Sequence, residues 1–411
     1  MLQTVEVQPK SLADYRPIVG EEVIVSIREL AADLQGARVL HVNATAYGGG
    51  VAEILSSLVP LMRDVGLDAQ WQVIAGADEF FSVTKAFHNG LQGAEIPLTA
   101  EMKAIYDRYN ERNAAAFEGD HDFIVVHDPQ PAALLHFHGP EGGGHWIWRC
   151  HIDTSTPNPA FWEFLTPYLN LYEAGIFTME KYVGPGLDFP HLAIIPPTID
   201  PLSPKNAPMP LERAREIVAS FGPNPEQPLI TQVSRFDPWK DPLGVIDAYR
   251  LVKREIPQVQ LALVGSMASD DPEGWHYLDR TIRHAGEDFD IHILHNFHGV
   301  GALEVGAFQT ASDVIVQKSI REGFGLVVTE ALWKGKPVVG GRAGGIPLQV
   351  LDGETGFLVG DVEECAQRAL YLLRNPEKAR AMGTRGREHV RGNFLITRHL
   401  RDYLQLFRDL S

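Results

Sequence analysis

Short apolar segments rich in β-branched residues alternate along the chain with longer segments of helical periodicity. The apolar segments are 37–43, 68–76, 122–128, 145–153, 192–200, 228–236, 259–266, 291–297, 312–319 and 336–341. Strands that are apolar throughout are typical of parallel sheets covered by helices on both faces. The sequence therefore predicts an α/β fold built from doubly wound, Rossmann-like parallel sheets.

A stretch rich in proline and polar residues, 195–210, interrupts this alternation near the middle of the chain. Because 411 residues suggest two or three domains, we expect two similar halves, residues 1–205 and 206–390. The last segment, 391–411, has the pattern of an amphipathic helix and is expected to dock back on the first half. Ligands of such folds bind beyond the carboxyl ends of the strands, so we expect the site in a deep cleft where the halves face each other.

The charge balance limits the classes of partner. Acidic residues outnumber basic ones 53 to 36, which gives a net charge of −17. Such a protein repels phosphate-rich nucleic acids and anionic membrane surfaces, so we expect neither as a partner, and a phosphorylated ligand needs a local positive cluster. Two distant cysteines and no apparent signal peptide or membrane span favour the cytoplasm.

Three glycines, Gly48 to Gly50, follow the first predicted strand and precede a helix. Glycine lets the backbone approach an anion, and the start of a helix offers free amides. An ordinary strand-to-helix turn explains the same pattern equally well. The spacing differs from the GxGxxG of dinucleotide-binding dehydrogenases, which the sequence therefore disfavours.

Two cations, Arg235 and Lys240, follow the predicted strand 228–236. Their order along the chain places Arg235 at the end of that strand and Lys240 at the start of the next helical pattern. A guanidinium fork together with an ammonium group suits a diphosphate. The alternative is a pair of solvated surface charges.

Two glutamates flank a glycine turn in the segment 319–332. Glu322 is expected in the turn and Glu330 about two turns into the following helix, since eight helical residues rise roughly 12 Å. This exceeds the spacing of about 5–9.5 Å in glycosidase carboxyl pairs. The pair could instead bracket a diphosphate-linked ligand, whose phosphates would meet the amides of Gly325 and Leu326. The alternative is a solvated helix glutamate and a turn glutamate.

Together these segments resemble the retaining GT-B glycosyltransferases, a family of two Rossmann-like domains. The motifs that carry the resemblance are the glycine loop 48–50, the Arg…Lys pair of Arg235 and Lys240, the E-x7-E pair of Glu322 and Glu330, the glycine-rich stretch 344–347 and the loop DGETGFLV at 352–359. They stand in the expected order over nearly the whole chain.

A narrower resemblance concerns trehalose glycosyltransferring synthases, which join a nucleoside-diphosphate (NDP) glucose to glucose. It is carried by the segments 41–55, 145–159, 233–242 and 317–340. Related trehalose phosphorylases share this architecture and use phosphate in place of the nucleotide. They are therefore the near alternative.

The resemblance implies roles for two residues of the first half. Asp128 follows a strand in an H-D segment like the one that contacts the acceptor sugar in trehalose-phosphate synthases. His151, which stands 23 residues later, resembles the histidine beside the reacting centre and the donor 6-hydroxyl. Without the resemblance, a lone histidine at a strand end is more often a satisfied core or surface residue.

The resemblance also implies a donor site in the second half. Arg235 and Lys240 would stabilise the diphosphate, Glu322 would hold the donor hydroxyls and Glu330 the ribose. The implied catalytic residues are His151, Asp128, Arg235, Lys240 and Glu322. The implied nucleotide-sugar-binding residues are Gly49, Gly50, Arg235, Lys240, Asn296, Glu322, Gly323, Phe324, Gly325, Leu326 and Glu330.

The implied reaction is reversible, retaining transfer from NDP-glucose to glucose, giving α,α-trehalose. The alternatives are a trehalose phosphorylase, a transferase like sucrose or glycogen synthase, and a non-catalytic sugar-binding protein. NDP-glucose is expected as a co-substrate, with glucose or trehalose as the other partner and no permanently bound cofactor. The sequence has no D-x-D motif, so no protein metal site is predicted. The sequence is compatible with a Mg²⁺ ion bound to the nucleotide and with a homodimer.

Overall fold

The computed structural model describes residues 2–139, 143–267 and 272–411, and the chain divides by its contacts into two units. The first unit comprises Met1–Thr198 and Ile396–Ser411, and the second comprises Ile199–Leu395. The second unit therefore starts at Ile199, whereas the sequence predicts its start at residue 206. The Ile199 amide donates to the carbonyl of Phe394 at 2.9 Å, and Ile199 forms a β-bridge with Leu395.

The first unit is a seven-stranded sheet in the order β1-β3-β2-β4-β5-β6-β7. Its strands are β1 Gln3–Thr4, β2 Arg38–Asn43, β3 Asp68–Val73, β4 Phe123–His127, β5 His145–Arg149, β6 Ala174–Phe177 and β7 His191–Ile194. Its helices are α1 Arg16–Val19, α2 Glu21–Ala32, α3 Gly50–Asp64, α4 Asp78–Leu91, α5 Ala100–Ala114, α6 Leu134–His138, α7 Pro159–Leu169 and the C-terminal α16 Ile396–Leu410. Among the described strands of this unit, β1 alone pairs antiparallel, with β3.

The C-terminal helix α16 belongs to the core of the first unit. Its residues Leu400, Tyr403 and Phe407 are fully buried, and the Phe407 ring stacks on that of Phe123 from β4 with centroids 4.3 Å apart. The helix begins at Ile396 rather than at 391, because the preceding helix runs to Asn393 and the next two residues pair with Ile199.

The second unit is a six-stranded parallel sheet in the order β10-β9-β8-β11-β12-β13. Its strands are β8 Leu229–Val233, β9 Gln260–Gly265, β10 Ile291–His295, β11 Val314–Gln317, β12 Val338–Gly341 and β13 Gly356–Val359. Its helices are α8 Leu211–Ala219, α9 Pro242–Glu255, α10 Pro272–Ala285, α11 Ala302–Ala311, α12 Leu326–Trp333, α13 Ile346–Gln349, α14 Val362–Arg374 and α15 Pro376–Asn393.

The predicted parallel α/β fold is confirmed, with differences at particular elements. Strand β8 ends at Val233, so Arg235 lies in the loop beyond it and not at the strand end. The segment 352–359, predicted as a loop, contains strand β13 over its last four residues. Helix α12 begins only at Leu326, because Gly325 adopts a left-handed φ of 84°. Glu330 is therefore little more than one turn into the helix, not two.

Candidate active site

The carboxyl edge of the first sheet carries the two residues predicted there, Asp128 and His151. Strand β4 ends at His127, and Asp128 then turns the chain with a left-handed φ of 63°. Aspartate is one of the few residues that enter this region, since its side chain bonds locally. Its Oδ1 accepts a hydrogen bond of 2.8 Å from the backbone amide of His151. The structure thus brings Asp128 and His151 together from neighbouring strands.

The environment of Asp128 sets its protonation. Burial raises the pKa of the Asp128 carboxyl to about 7, although the His151 amide and the Arg149 guanidinium oppose the shift. A carboxyl with this pKa exchanges its proton near neutral pH. Asp128 can therefore act in its charged form above pH 7, orienting a sugar hydroxyl or helping with its proton.

His151 is half-buried and belongs to a row of imidazoles that the sequence reasoning did not identify. Its Nε2 lies 2.9 Å from Nδ1 of His127, and Nε2 of His127 lies 3.0 Å from Nδ1 of His41. Burial, reinforced by the charge on Arg149, holds the pKa of both His127 and His151 well below 6.5. These histidines are therefore neutral at physiological pH.

The glycine loop at the start of α3 has open space beside it. Gly48 has a left-handed φ of 78°, and Gly49 is the N-cap of α3 without a side-chain hydrogen bond at the cap. Of the residues that the structure describes, none places an atom within 4 Å of a Cβ built on Gly48 or Gly49. Packing within this unit therefore does not require glycine at position 49, whereas a ligand close to the backbone would.

In the second unit, Lys240 and Glu322 form the central contact of the candidate site. Nζ of Lys240 lies 2.7 Å from Oε2 of Glu322, and both side chains are largely buried. Oγ of Ser319 also donates to Oε2, at 3.2 Å. Lys240 follows β8 in a 3-10 turn and Glu322 follows β11, and these strands are neighbours in the sheet. The convergence of the two motifs is therefore a product of the sheet order.

The loop around Glu322 is held in place by close backbone contacts. The backbone amides of Ile320 and Arg321 donate to the carbonyl of Trp239, at 2.8 and 3.4 Å. A Cβ on Gly345 would lie only 2.9 Å from Cα of Phe324, so glycine is needed there for the two loops to approach. These contacts fix the start of α12, where the Gly325 and Leu326 amides were predicted to bind phosphate.

Arg235 is the more exposed of the two predicted phosphate-binding cations. Its side chain is 63% exposed and forms an ion pair with Asp237, 3.2 Å from Nη2 to Oδ2. Arg235 therefore pairs with Asp237, whereas Lys240 pairs with Glu322.

Glu330 lies in the interior of the second unit. Its side chain is 1% exposed, with Oε1 3.1 Å from Nζ of Lys205 and Oε2 3.0 Å from Nε2 of Gln309. Burial alone would raise the pKa of Glu330, but Lys205 and Lys334 outweigh it and lower the pKa. A carboxylate can accept further hydrogen bonds, so a ribose contact stays a prediction. The contact with Lys205 was not foreseen.

Asn296 is engaged with the backbone. Its Oδ1 accepts from the Met267 amide at 2.8 Å, and its Nδ2 donates to the Met267 carbonyl at 3.1 Å. The side chain therefore fixes the loop after β9, and a nucleotide contact from position 296 stays a prediction. The role assignments of the other named residues and the expected cleft stay predictions as well.

The described ranges show neither a candidate metal cluster nor a candidate membrane span. No group of three or more His, Cys, Asp or Glu side chains within them is arranged to hold a metal ion. No helix in these ranges has the length and apolar character needed to cross a membrane. The acidic pair at 270–271, interpreted from sequence as a solvated turn, lies outside the described residues.

Both halves of the chain match models of known families. The model "Trehalose synthase, N-terminal domain" matches residues 41–184, and "Glycosyl transferases group 1" matches residues 214–389. A trehalose synthase of Rubrobacter xylanophilus is 56% identical over 100% of this chain and 99% of its own length. A trehalose synthase of Pyrococcus horikoshii is 53% identical over 98% of this chain and 97% of its own length.

More distant relatives agree with this result. A trehalose phosphorylase of Pleurotus pulmonarius is 27% identical over 92% of this chain and 58% of its own length. The solved structure of an α,α-trehalose-phosphate synthase (UDP-forming) from Burkholderia vietnamiensis is similar in fold, with a TM-score of 0.70 at 16% identity, covering 92% of this chain and 98% of that one. The chain therefore belongs to the trehalose synthase family and is a glycosyltransferase of the GT-B fold.

Proposed function

We propose that the protein transfers glucose from an NDP-glucose to free glucose, giving α,α-trehalose and NDP, with retention at the anomeric carbon and in both directions. The observation that carries the proposal is the 2.7 Å contact between Lys240 and Glu322 at the carboxyl edge of the second sheet. It places a cation beside a carboxylate at the start of α12. The Lys240 ammonium suits a diphosphate, and the Glu322 carboxylate suits the hydroxyls of a donor sugar.

The proposed chemistry follows from where charge develops. The bond between the anomeric carbon and the β-phosphate oxygen breaks, and negative charge grows on the leaving phosphate. Lys240, Arg235 and the amides of Gly325 and Leu326 would stabilise that charge. The acceptor hydroxyl attacks from the same face, and its proton passes to the leaving phosphate. The NDP-glucose is thus a co-substrate, and a Mg²⁺ ion on its diphosphate is compatible with this scheme.

The acceptor glucose is assigned to Asp128 and His151. Asp128, with a pKa of about 7, would accept a hydrogen bond from the acceptor hydroxyl and orient it. His151 would contact the sugars beside the reacting carbon. The open backbone at Gly49 leaves room for a ligand close to the main chain.

A trehalose phosphorylase is the second candidate, because distant relatives carry that name. Two reactions separate the candidates: glucose plus UDP-, ADP- or GDP-glucose, and trehalose plus inorganic phosphate. We expect NDP release that depends on added glucose in the first reaction and no glucose 1-phosphate in the second. Glucose 1-phosphate formation without activity on any NDP-glucose would identify a phosphorylase instead.

Replacement of Asp128 by asparagine tests the acceptor assignment through its pH dependence. Since the folded pKa of about 7 lies above the usual 3.8, the active carboxylate forms as the pH rises through 7, and the rate is expected to rise with it. Asp128→Asn should be slow at all pH values and should lack this rise. The measurement is the rate of NDP release from pH 5 to 9.

Two further results complete the Asp128 test. Asp107 has a pKa raised by burial and bonds to Tyr168, so Asp107→Asn should keep the wild-type pH profile. The raised pKa of Asp128 favours the folded state below pH 4, and this contribution is lost as the pH rises through 7. The free energy of unfolding should therefore fall less over that interval in Asp128→Asn. If the pH dependence of the rate is unchanged in Asp128→Asn, Asp128 takes no part in the mechanism.

A further inference from the structure

Three histidines on neighbouring strands form a row that ends at the candidate active site. His41 lies on β2, His127 at the end of β4, and His151 after β5. The two contacts join Nδ1 of His41 to Nε2 of His127 and Nδ1 of His127 to Nε2 of His151, at 3.0 and 2.9 Å. Each ring of the row therefore bonds to the next through a defined pair of nitrogens.

The row is neutral, so each ring carries one proton. His41 and His127 are at most 2% exposed, and burial lowers the pKa of His41 to about 3. The groups that face the row are Arg149 from β5, His399 and Tyr403 from α16, and the Asp128 carboxyl. Each nitrogen contact needs one N–H and one bare nitrogen, so only two proton arrangements exist, running in opposite directions along the row.

The inner end of the row selects between the two arrangements. Nε2 of His41 is buried without a hydrogen-bond partner among the described residues, and so are Nε and Nη1 of Arg149 and the Tyr403 hydroxyl. The Tyr403 ring lies 5.8 Å from that of His41, and the charge on Arg149 acts on Tyr403. The unpartnered Nε2 of His399 is an acceptor, because its Nδ1 donates to the Pro196 carbonyl, and the Tyr403 hydroxyl can donate or accept. The two Arg149 nitrogens can only donate, so among the described residues unpartnered donors outnumber acceptors at this end, and a bare Nε2 on His41 fits them better than an N–H. On this ground the protons point outward, from His41 towards His151.

We propose that His41 and His127 are positioning residues that fix His151 in its Nδ1–H form, so that His151 presents a neutral hydrogen-bond donor to a sugar hydroxyl. Nδ1 of His151 has no hydrogen-bond partner within 2–139, 143–267 and 272–411. A neutral donor binds a hydroxyl oxygen without attracting the leaving diphosphate. The contact with sugar rests on the function proposed above, whereas the proton arrangement does not.

Nitrogen-15 NMR of the histidine-labelled full-length protein without substrate tests the proton arrangement, with His151→Gln identifying the His151 signals. We expect neutral His151 protonated at Nδ1 from pH 5.5 to 8.5, and loss of this preference in His127→Phe, which keeps a ring but has no nitrogen. A wild-type His151 protonated at Nε2, or one that becomes charged near pH 6.5, would overturn the proposal.

Kinetics provide the second readout. His127→Phe should lower kcat roughly 10- to 100-fold with little change in the KM for donor, the range found when the partner that orients a metal-binding histidine is removed. His127→Gln, whose amide both donates and accepts, should keep most of the activity, and the exposed control His191→Gln all of it. If His127→Phe does not fold, His41→Phe, which likewise keeps a ring without nitrogens, takes its place in both experiments. Equal losses in His127→Phe and His127→Gln would indicate packing alone and contradict the proposal.

Discussion

Lys240→Ala is expected to lower kcat for glucosyl transfer by roughly 10²–10³-fold, the range found when one group that stabilises a developing anion is removed. The reason is that Nζ of Lys240, held 2.7 Å from Glu322, is the buried cation assigned to the leaving phosphate. Arg235→Ala is expected to fall in the same range, because a flexible exposed guanidinium can close on the diphosphate. The measurement is the initial rate of NDP release at saturating donor and glucose.

A matched control exists in the same unit, on helix α9. Lys253 also forms short ion pairs, with Asp288 at 2.5 Å and Asp290 at 2.8 Å, but it belongs to no proposed site. Lys253→Ala should therefore keep near-normal turnover, and thermal unfolding of both variants shows whether either loss comes from the fold. Near-normal turnover in Lys240→Ala would refute its assignment to the phosphate.

Glu330→Ala is expected to destabilise the second unit by about 3–5 kcal/mol, the usual cost of removing one partner from a buried ion pair. The substitution would leave the Lys205 ammonium buried without its carboxylate and Lys334 without a nearby counter-charge. For a unit of this size, such a loss corresponds to a fall in Tm on the order of 10 °C. Thermal unfolding, followed by circular dichroism, measures it.

Two further variants make the Glu330 prediction specific. Removing the buried cation as well, in Glu330→Gln/Lys205→Met, should recover part of the stability lost in Glu330→Gln alone. Glu216→Ala breaks an exposed pair with Arg213 and should change stability by less than about 1 kcal/mol. An unchanged Tm in Glu330→Ala would contradict the structural account of this residue. The expected rise in donor KM from a lost ribose contact is then measured below the unfolding temperature of the variant.

The sequence predicted the strands that are long and continuously apolar, such as β2, β8 and β9. It missed β6, which has only four residues, and β13, whose GFLV follows a turn-like segment. Four residues are too few to distinguish a strand from an apolar loop by periodicity. Some predicted strands also extended past the observed strand ends. The predicted strands included Arg235 and His151, although the backbone leaves the sheet after Val233 and Arg149.

Contacts in the candidate site could be predicted only between residues that belong to recognisable motifs. Lys240 and Glu322 were both identified as candidates, and neighbouring strand order then brought them to 2.7 Å. Lys205 stands in a proline-rich linker, 125 residues before Glu330, and nothing local marks it as a partner. His41 appeared only as one apolar-strand residue among others, since its contact with His127 depends on the order of the strands.

The product formed from NDP-glucose and glucose tests the proposed reaction directly. Carbon-13 glucose as acceptor, with UDP-, ADP- and GDP-glucose in separate reactions, allows the disaccharide to be identified by NMR together with the configuration at both anomeric carbons. We expect α,α-trehalose, in amounts equal to the NDP released, from at least one of the three donors. A disaccharide with a β linkage, or no disaccharide from any of the three donors, would contradict the proposed reaction.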